Sequence, residues 1–270
     1  MILGLAMHPT LPLTFPEFLD FAQKIEADTL DLRLDSTEFL SAFKDENKTL
    51  EIKQLLNQYN FRRCVHAPII DVCMSSLNPT LQKASENAML EAMEFAAKIN
   101  ASLVVSHVGR LSKDYPRKFA AKATQKAMKS LKIINERCND LGMVFTIEND
   151  CKTEDPTLAG TKKQIQVILE AVGCKMTLDV GHANTFGKPE EYFKTFNKRI
   201  AHVHLHDNYG DKDEHLPVGE GNIDFGRLFH AMGNRISKLP LTIECHSLFG
   251  IAESATALKR HFQVAKQVSC

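Results

Sequence analysis

The chain has 270 residues, with 33 basic and 33 acidic side chains, and 44% of its residues are hydrophobic. This apolar fraction is typical of a globular protein and excludes a disordered chain. The balanced charge argues against a broad basic surface for nucleic acid, and no apolar run reaches the ~18 residues of a membrane helix. The N-terminal run lacks a preceding basic residue and a small-residue cleavage site, so we expect a cytoplasmic protein without a signal peptide.

The cysteines form no CxxC pair, and their number is odd. They are Cys64, Cys73, Cys138, Cys151, Cys174, Cys245 and Cys270. Metal-binding cysteines usually come in close pairs, and disulfides belong to oxidising compartments. We therefore expect reduced thiols that pack like small apolar side chains.

Short apolar runs alternate with longer segments of helical periodicity along the chain, a pattern typical of βα units and a parallel sheet. Eight runs are predicted as strands, beginning at Ile2, Thr29, Cys64, Leu103, Val144, Lys175, Ile200 and Leu239. The segments between them are predicted as helices, the clearest of which starts at Asn78-Pro79. This spacing predicts an α/β fold, a (β/α)₈ TIM barrel in which residues 1–270 form a single domain. An open doubly wound sheet is the alternative, although no GxGxxG phosphate-binding sequence follows any strand.

Histidines and acidic residues stand at or just beyond the ends of the third to eighth predicted strands. They are His66, His107, Glu148, Asp179, His182, His204, Asp213, His215 and Glu244. Singly, each could be a core histidine, a turn former or an ion-pair partner. In a barrel, however, these strand ends meet at one mouth, where charged groups are costly to desolvate without a partner. Together they predict a metal site, because imidazole nitrogen and carboxylate oxygen suit zinc, manganese or a similar divalent ion.

Three segments carry a family resemblance: TLDVGHAN at 177–184, HVHLHDN at 202–208 and HLPVGEGNIDF at 215–225. In them the chain resembles the xylose-isomerase-like barrel superfamily, which includes sugar isomerases, sugar epimerases and endonuclease IV, the apurinic-site repair enzyme. The similarity extends from His66 to Glu244. By analogy with endonuclease IV it implies up to three zinc ions, in three ligand groups. These groups are His66 and His107 with Glu148, then Glu148 with Asp179, His204 and Glu244, and finally His182 with Asp213 and His215.

The leading functional prediction is an endonuclease IV-like hydrolase that cleaves a phosphoester in a small phosphorylated substrate or in abasic-site DNA. Clustered divalent ions supply both the hydroxide and the charge neutralisation that this reaction needs. The pair Asp213 and His215 supports it, because a one-metal isomerase of this superfamily does not need them. The loop after the seventh strand also lacks the arginine that many of the isomerases carry.

The alternative is a sugar or sugar-phosphate isomerase or epimerase that uses one Mn²⁺ or similar ion and the catalytic acid–base pair Glu148 and Glu244. The DVGHAN form resembles this branch. Ile69 stands where endonuclease IV typically has a tyrosine, and the acidic residues Asp150, Glu154 and Asp155 are expected to repel a phosphate backbone. A barrel that binds metal or ligand without turnover is the third hypothesis.

Overall fold

The computed structural model describes residues 1–268, with side chains through residue 262. Eight parallel strands follow one another around a closed barrel, and the last pairs with the first. They are β1 (Ile2–Met7), β2 (Thr29–Arg33), β3 (Arg62–His66), β4 (Leu103–Ser106), β5 (Val144–Glu148), β6 (Lys175–Asp179), β7 (Ile200–Leu205) and β8 (Pro240–Ile243). The predicted (β/α)₈ barrel is confirmed, and the pairing of β8 with β1 excludes the open sheet.

Ten α-helices surround the barrel in the part of the chain that the structure describes. They are α1 (Phe15–Lys24), α2 (Thr37–Leu40), α3 (Glu46–Leu56), α4 (Pro79–Lys98), α5 (Ala120–Asp140), α6 (Lys162–Val172), α7 (Val180–Asn184), α8 (Pro189–Phe196), α9 (Phe225–Met232) and α10 (Leu248–Val268). The predicted start of α4 is confirmed: Pro79 is its first residue, and the Asn78 side chain accepts the Thr80 backbone N–H at 3.0 Å. The short helices α2 and α7 add to two of the eight βα repeats without changing their number.

Each strand presents one face to the helices and the other to the barrel interior. In β2, Leu30 and Leu32 are fully buried on the helix side. Asp31 points inward and reaches His204 on β7 across the barrel. Because side chains alternate along a strand, an apolar outer face and a polar inner face occur in the same short sequence. The interior therefore places polar groups directly below the mouth.

Two sequence predictions, on membrane helices and on cysteine thiols, can be compared with the described residues. None of the helices there combines the length and apolarity needed to cross a bilayer. The six cysteines within the described range are free thiols. Cys270 lies outside the described residues.

Candidate metal centre

The nine predicted site residues lie together at the carboxyl ends of the strands. Parallel closure brings these ends to one mouth. One group of converging donor atoms joins Asp31, His202 and His204 inside the barrel. Together with His206, the nitrogen and oxygen atoms of the nine residues form three more groups, each with its donor atoms within 4.8 Å of one another. We call these the first group (His66, His107 and Glu148), the second group (Glu148, Asp179, His204 and Glu244) and the third group (His182, His206, Asp213 and His215).

Glu148, the last residue of β5, belongs to two groups through its two oxygens. Its Oε2 lies 3.1 Å from His66 Nε2 and 3.2 Å from His107 Nε2. Its Oε1 lies 3.1 Å from His204 Nδ1. This carboxylate is 1% exposed, and its two oxygens face two different groups.

The second group surrounds His204 Nδ1 with carboxylates from three strands. Glu244 Oε2 lies 3.0 Å from this nitrogen, and Asp179 Oδ2 lies 3.9 Å from it. Asp179 ends β6 and also caps α7, because its Oδ1 accepts the His182 backbone N–H at 2.6 Å. The turn of α7 thereby connects the second group to the third.

The third group is arranged around Asp213, in the loop after β7. Asp213 Oδ2 lies 3.1 Å from His182 Nε2 and 3.3 Å from His215 Nε2. Asp213 Oδ1 lies 3.5 Å from His206 Nε2. The loop therefore closes over the mouth and adds a carboxylate to three imidazoles.

Most of the histidines in the groups have their outer nitrogen fixed by a hydrogen bond. His66 Nδ1 contacts Ala67 O at 3.0 Å, and His107 Nδ1 contacts Asp150 Oδ1 at 2.7 Å. His182 Nδ1 contacts Asn149 O at 2.7 Å, and His215 Nδ1 contacts Glu244 O at 2.6 Å. Each acceptor favours a proton on Nδ1 and leaves Nε2 directed at its group. Fixing the tautomer in this way is typical of metal-binding histidines.

The charges of the site shift the pKa of its members strongly. Burial alone would lower the pKa of His107, but Glu148 and Asp150 raise it to about 9. Burial likewise opposes protonation of His215, while Asp213 and Glu244 raise its pKa to about 9. Protons on these imidazoles balance the carboxylates, and a divalent cation bound to the same atoms would replace them.

Two buried carboxylate oxygens test whether the residues fit such a cation. Asp179 Oδ2 and Asp213 Oδ1 have no hydrogen-bond partner among the described residues. Leaving a buried charged oxygen without a partner is costly. Both oxygens belong to donor groups of imidazole and carboxylate, which suit zinc or manganese. The residues therefore fit a divalent ion in the second and third groups.

Three residues that contribute to the site were not among the predicted ligands. His206 lies in the third group, and its place in HVHLHDN, two residues after His204 on the same face of the strand, was the available signal. Asp31 contacts His204, and its charge within the apolar run TLDLRL was the available signal. Asp150 was expected to act as a loop charge that repels phosphate. The structure instead buries Asp150, which is 1% exposed and bonds His107. Repulsion of a phosphate backbone by this loop stays a prediction.

We expect Gly181→Ala to damage the third group selectively. A Cβ at this position would lie 1.9 Å from His206 Cε1, so the ring must move away from Asp179 and Asp213. Overpacking of this kind typically destabilises a protein by about 1–3 kcal/mol. Urea unfolding and elemental analysis should show lower stability and less bound metal. Gly226→Ala is the control, since this position of α9 is exposed and the nearest atom to its Cβ would be Asp224 Oδ1 at 3.3 Å. Equal effects of both variants would contradict the expectation.

Comparison with known proteins identifies the family. Residues 19–261 match the family model described as xylose isomerase-like TIM barrel. The chain belongs to this family. An uncharacterized protein of Methanocaldococcus jannaschii is 34% identical over 173 residues, which are 64% of this chain and 66% of that relative. This chain thus spans slightly less than two thirds of the relative's length.

Solved structures share the whole barrel of this xylose isomerase-like protein. A D-tagatose 3-epimerase-like protein superposes with a TM-score of 0.89 at 24% identity and covers 100% of both chains. A D-psicose 3-epimerase of Clostridium cellulolyticum H10, solved with D-tagatose, gives a TM-score of 0.80 at 14% identity and covers 98% of this chain and 99% of its own. At such identities the likeness shows a shared fold.

This xylose isomerase-like barrel has a cavity of about 390 Å³ beside the first group. Its lining includes His107 and Asp150 from the site, the apolar side chains Ile69 and Ile70, and Arg110. Pockets of roughly 300–1,000 Å³ suit small molecules. The cavity combines an apolar wall with the charged residues Arg110, Asp150 and Asp155 at the edge of the candidate metal centre.

Proposed function

We propose that this protein is a divalent-metal-dependent epimerase or isomerase of a small ketose or ketose phosphate. The second group carries the proposal, because Glu148, Asp179, His204 and Glu244 converge within 4.8 Å and include three carboxylates, at the ends of β5, β6 and β8. The solved epimerases that share the fold support it. The cavity of about 390 Å³ is also of a size for a small ligand.

The chemistry follows from the states of the two glutamates. An ion held by the second group would polarise the carbonyl of a bound ketose. Burial raises the pKa of the Glu148 and Glu244 carboxyls, but the neighbouring His204 outweighs this and holds both well below their usual range. Either carboxylate can therefore accept the proton from the carbon beside the carbonyl. For an epimerisation the other carboxylate would first take up a proton from solvent and then deliver it to the opposite face, so the two glutamates exchange protonation states in each turnover.

We expect the Mn²⁺-loaded protein to incorporate deuterium at the carbon beside the carbonyl of its ketose in D₂O. NMR would follow this exchange and the formation of the epimer for tagatose, psicose, fructose, ribulose and their phosphates. Glu244→Gln should slow the exchange by about 10²–10⁴-fold, the usual contribution of a general base. Glu253→Gln, an exposed position on α10, is the matched control. Failure of all these sugars to exchange, or full activity of Glu244→Gln, would overturn the proposal.

Phosphoester hydrolysis is the second candidate, and the third group favours it. A one-ion epimerase has no need for the additional donors His182, His206, Asp213 and His215. Two or more neighbouring ions supply a hydroxide and neutralise phosphate charge in hydrolases of this type. Abasic DNA is the less favoured phosphoester substrate, because Ile69 replaces the typical tyrosine and the chain has no net positive charge.

Metal stoichiometry separates the two candidates. We expect Asp213→Asn combined with His215→Gln to remove about one ion per chain if the third group binds metal, because it loses two of its four donors. Elemental mass spectrometry on protein purified without a histidine tag would measure this. About three zinc ions in the parent, together with cleavage of a phosphodiester substrate, would favour the hydrolase. Unchanged metal content in the double variant would show that the third group is not a metal site.

A further inference from the structure

We infer that Asp31 is a positioning residue for His204: its carboxylate holds the proton on Nε2 and so presents the Nδ1 lone pair to the ion of the second group. This inference rests on the proposed metal site. It assigns a role to the inner face of β2, whose Asp31 converges with His202 and His204 and belongs to none of the first, second and third groups. The residue would act through His204 without contacting the substrate.

The two nitrogens of His204 face opposite surroundings. Nδ1 lies among the second-group carboxylates, 3.0 Å from Glu244 Oε2 and 3.1 Å from Glu148 Oε1. Nε2 lies 2.9 Å from Asp31 Oδ2, on the other side of the ring. An imidazole binds a metal through a nitrogen that carries no proton, so the ligand tautomer must keep its proton on the other nitrogen. Here that proton can be kept only where an acceptor lies, and Asp31 provides it.

The surroundings of Asp31 make the contact specific. The side chain extends from β2 to a residue 173 positions later on β7, and both residues are at most 1% exposed. Water is therefore a poor substitute for the acceptor. His202, which precedes His204 on the same face of β7, places its Nε2 3.5 Å from the same Asp31 oxygen. The carboxylate thus lies between two imidazoles, and we expect its charge to increase the basicity of the His204 ring.

Asparagine at position 31 would have nearly the shape of aspartate but would not favour a proton on His204 Nε2 over one on Nδ1. The amide oxygen can accept a hydrogen bond from His204 Nε2–H, but the amide NH₂ can equally donate one to an unprotonated Nε2. A carboxylate only accepts hydrogen bonds. When the amide donates, the imidazole proton must sit on Nδ1, where it blocks the ion. Replacing such outer partners of ligands typically weakens metal binding by about 10- to 100-fold. We expect Asp31→Asn to fall in this range and Asp31→Leu to be at least as severe.

Nitrogen NMR of histidine side chains tests the inference directly. In protein labelled with ¹⁵N-histidine and loaded with zinc, long-range proton–nitrogen spectra distinguish protonated from metal-bound nitrogens, and the spectrum of His204→Gln assigns the signals. We expect a protonated Nε2 and a zinc-bound Nδ1 for His204. A proton on Nδ1, or zinc on Nε2, would overturn the inference even if no variant of Asp31 folds.

Zinc affinity, measured by competition with a chelator, gives the second readout. Asp28→Asn is the matched control, because Asp28 accepts the Leu3 backbone N–H at 2.8 Å at the opposite end of the barrel. We expect this control to bind zinc like the parent, while Asp31→Asn loses affinity; equal affinities of the two variants would overturn the inference. If His204→Gln retains every ion, the proposed metal site itself fails. If His204→Gln loses an ion but Asp31→Asn binds normally, the failure is confined to Asp31.

Discussion

Glu148→Gln is expected to weaken metal binding in two groups at once and to reduce turnover by about 10²–10⁴-fold. The two oxygens of Glu148 serve different groups: Oε2 faces His66 and His107, and Oε1 faces His204. A neutral amide offers one oxygen in place of two charged ones. The same change leaves buried imidazoles without their counter-charge, and removing one partner of a buried ion pair typically costs about 3–5 kcal/mol.

Two further substitutions make this result specific. Glu244→Gln should affect only the second group, so the loss of metal should be smaller than for Glu148→Gln. Glu94→Gln, which breaks a partly exposed pair with Arg137, should cost at most about 1 kcal/mol and leave the metal content unchanged. Elemental analysis, ketose exchange and urea unfolding would be measured on all three. Similar metal content in Glu148→Gln and Glu244→Gln would show that Glu148 does not bridge two ions.

The sequence predicted the barrel well because strand and helix spacing is a local property. The start of α4 could be placed because Asn78 and Pro79 are a helix cap and a first helical residue. The helices α2 and α7 could not be separated, since four or five residues are too few to show a 3.6-residue period. Their presence depends on turns that follow strands, such as the cap that Asp179 provides for α7.

The sequence predicted the grouping of the nine residues less directly, through strand ends and a family resemblance. Barrel closure brings strand ends together whatever their separation along the chain. No comparable rule predicts which side chains meet across the barrel interior. The hydrogen bond between Asp31 and His204 was missed for this reason. The contact of Asp150 with His107 was missed for a related reason, because it depends on how the loop after β5 folds toward the end of β4.

Metal affinity at the first group is expected to rise steeply with pH. The Glu148 and Asp150 carboxylates raise the pKa of His107 to about 9, so this imidazole carries an extra proton at neutral pH. An ion must displace that proton, which costs a factor of ten in affinity for each pH unit below the pKa. From pH 9, where half of the imidazoles are already protonated, down to pH 6.5 the apparent affinity should therefore fall roughly 150-fold for a site that displaces one such proton. Competition with a pH-characterised chelator would measure it.

Stability of the metal-free protein should change with pH in the opposite direction. The pKa values of His107 and His215 are raised from 6.5 to about 9 on folding, so the stabilisation that they contribute is fully present below pH 6.5 and is lost as pH rises through 9. In the metal-loaded protein the ion replaces these protons, and stability should increase over the same range because binding tightens. Urea unfolding with a chelator and with excess zinc would test both trends. His8→Asn is the control, because the pKa of His8 is lowered to about 3 in the folded protein, where this residue stays neutral throughout the window. If the stability of the metal-free and the metal-loaded protein changed with pH in the same way, protons and metal would not compete for these imidazoles.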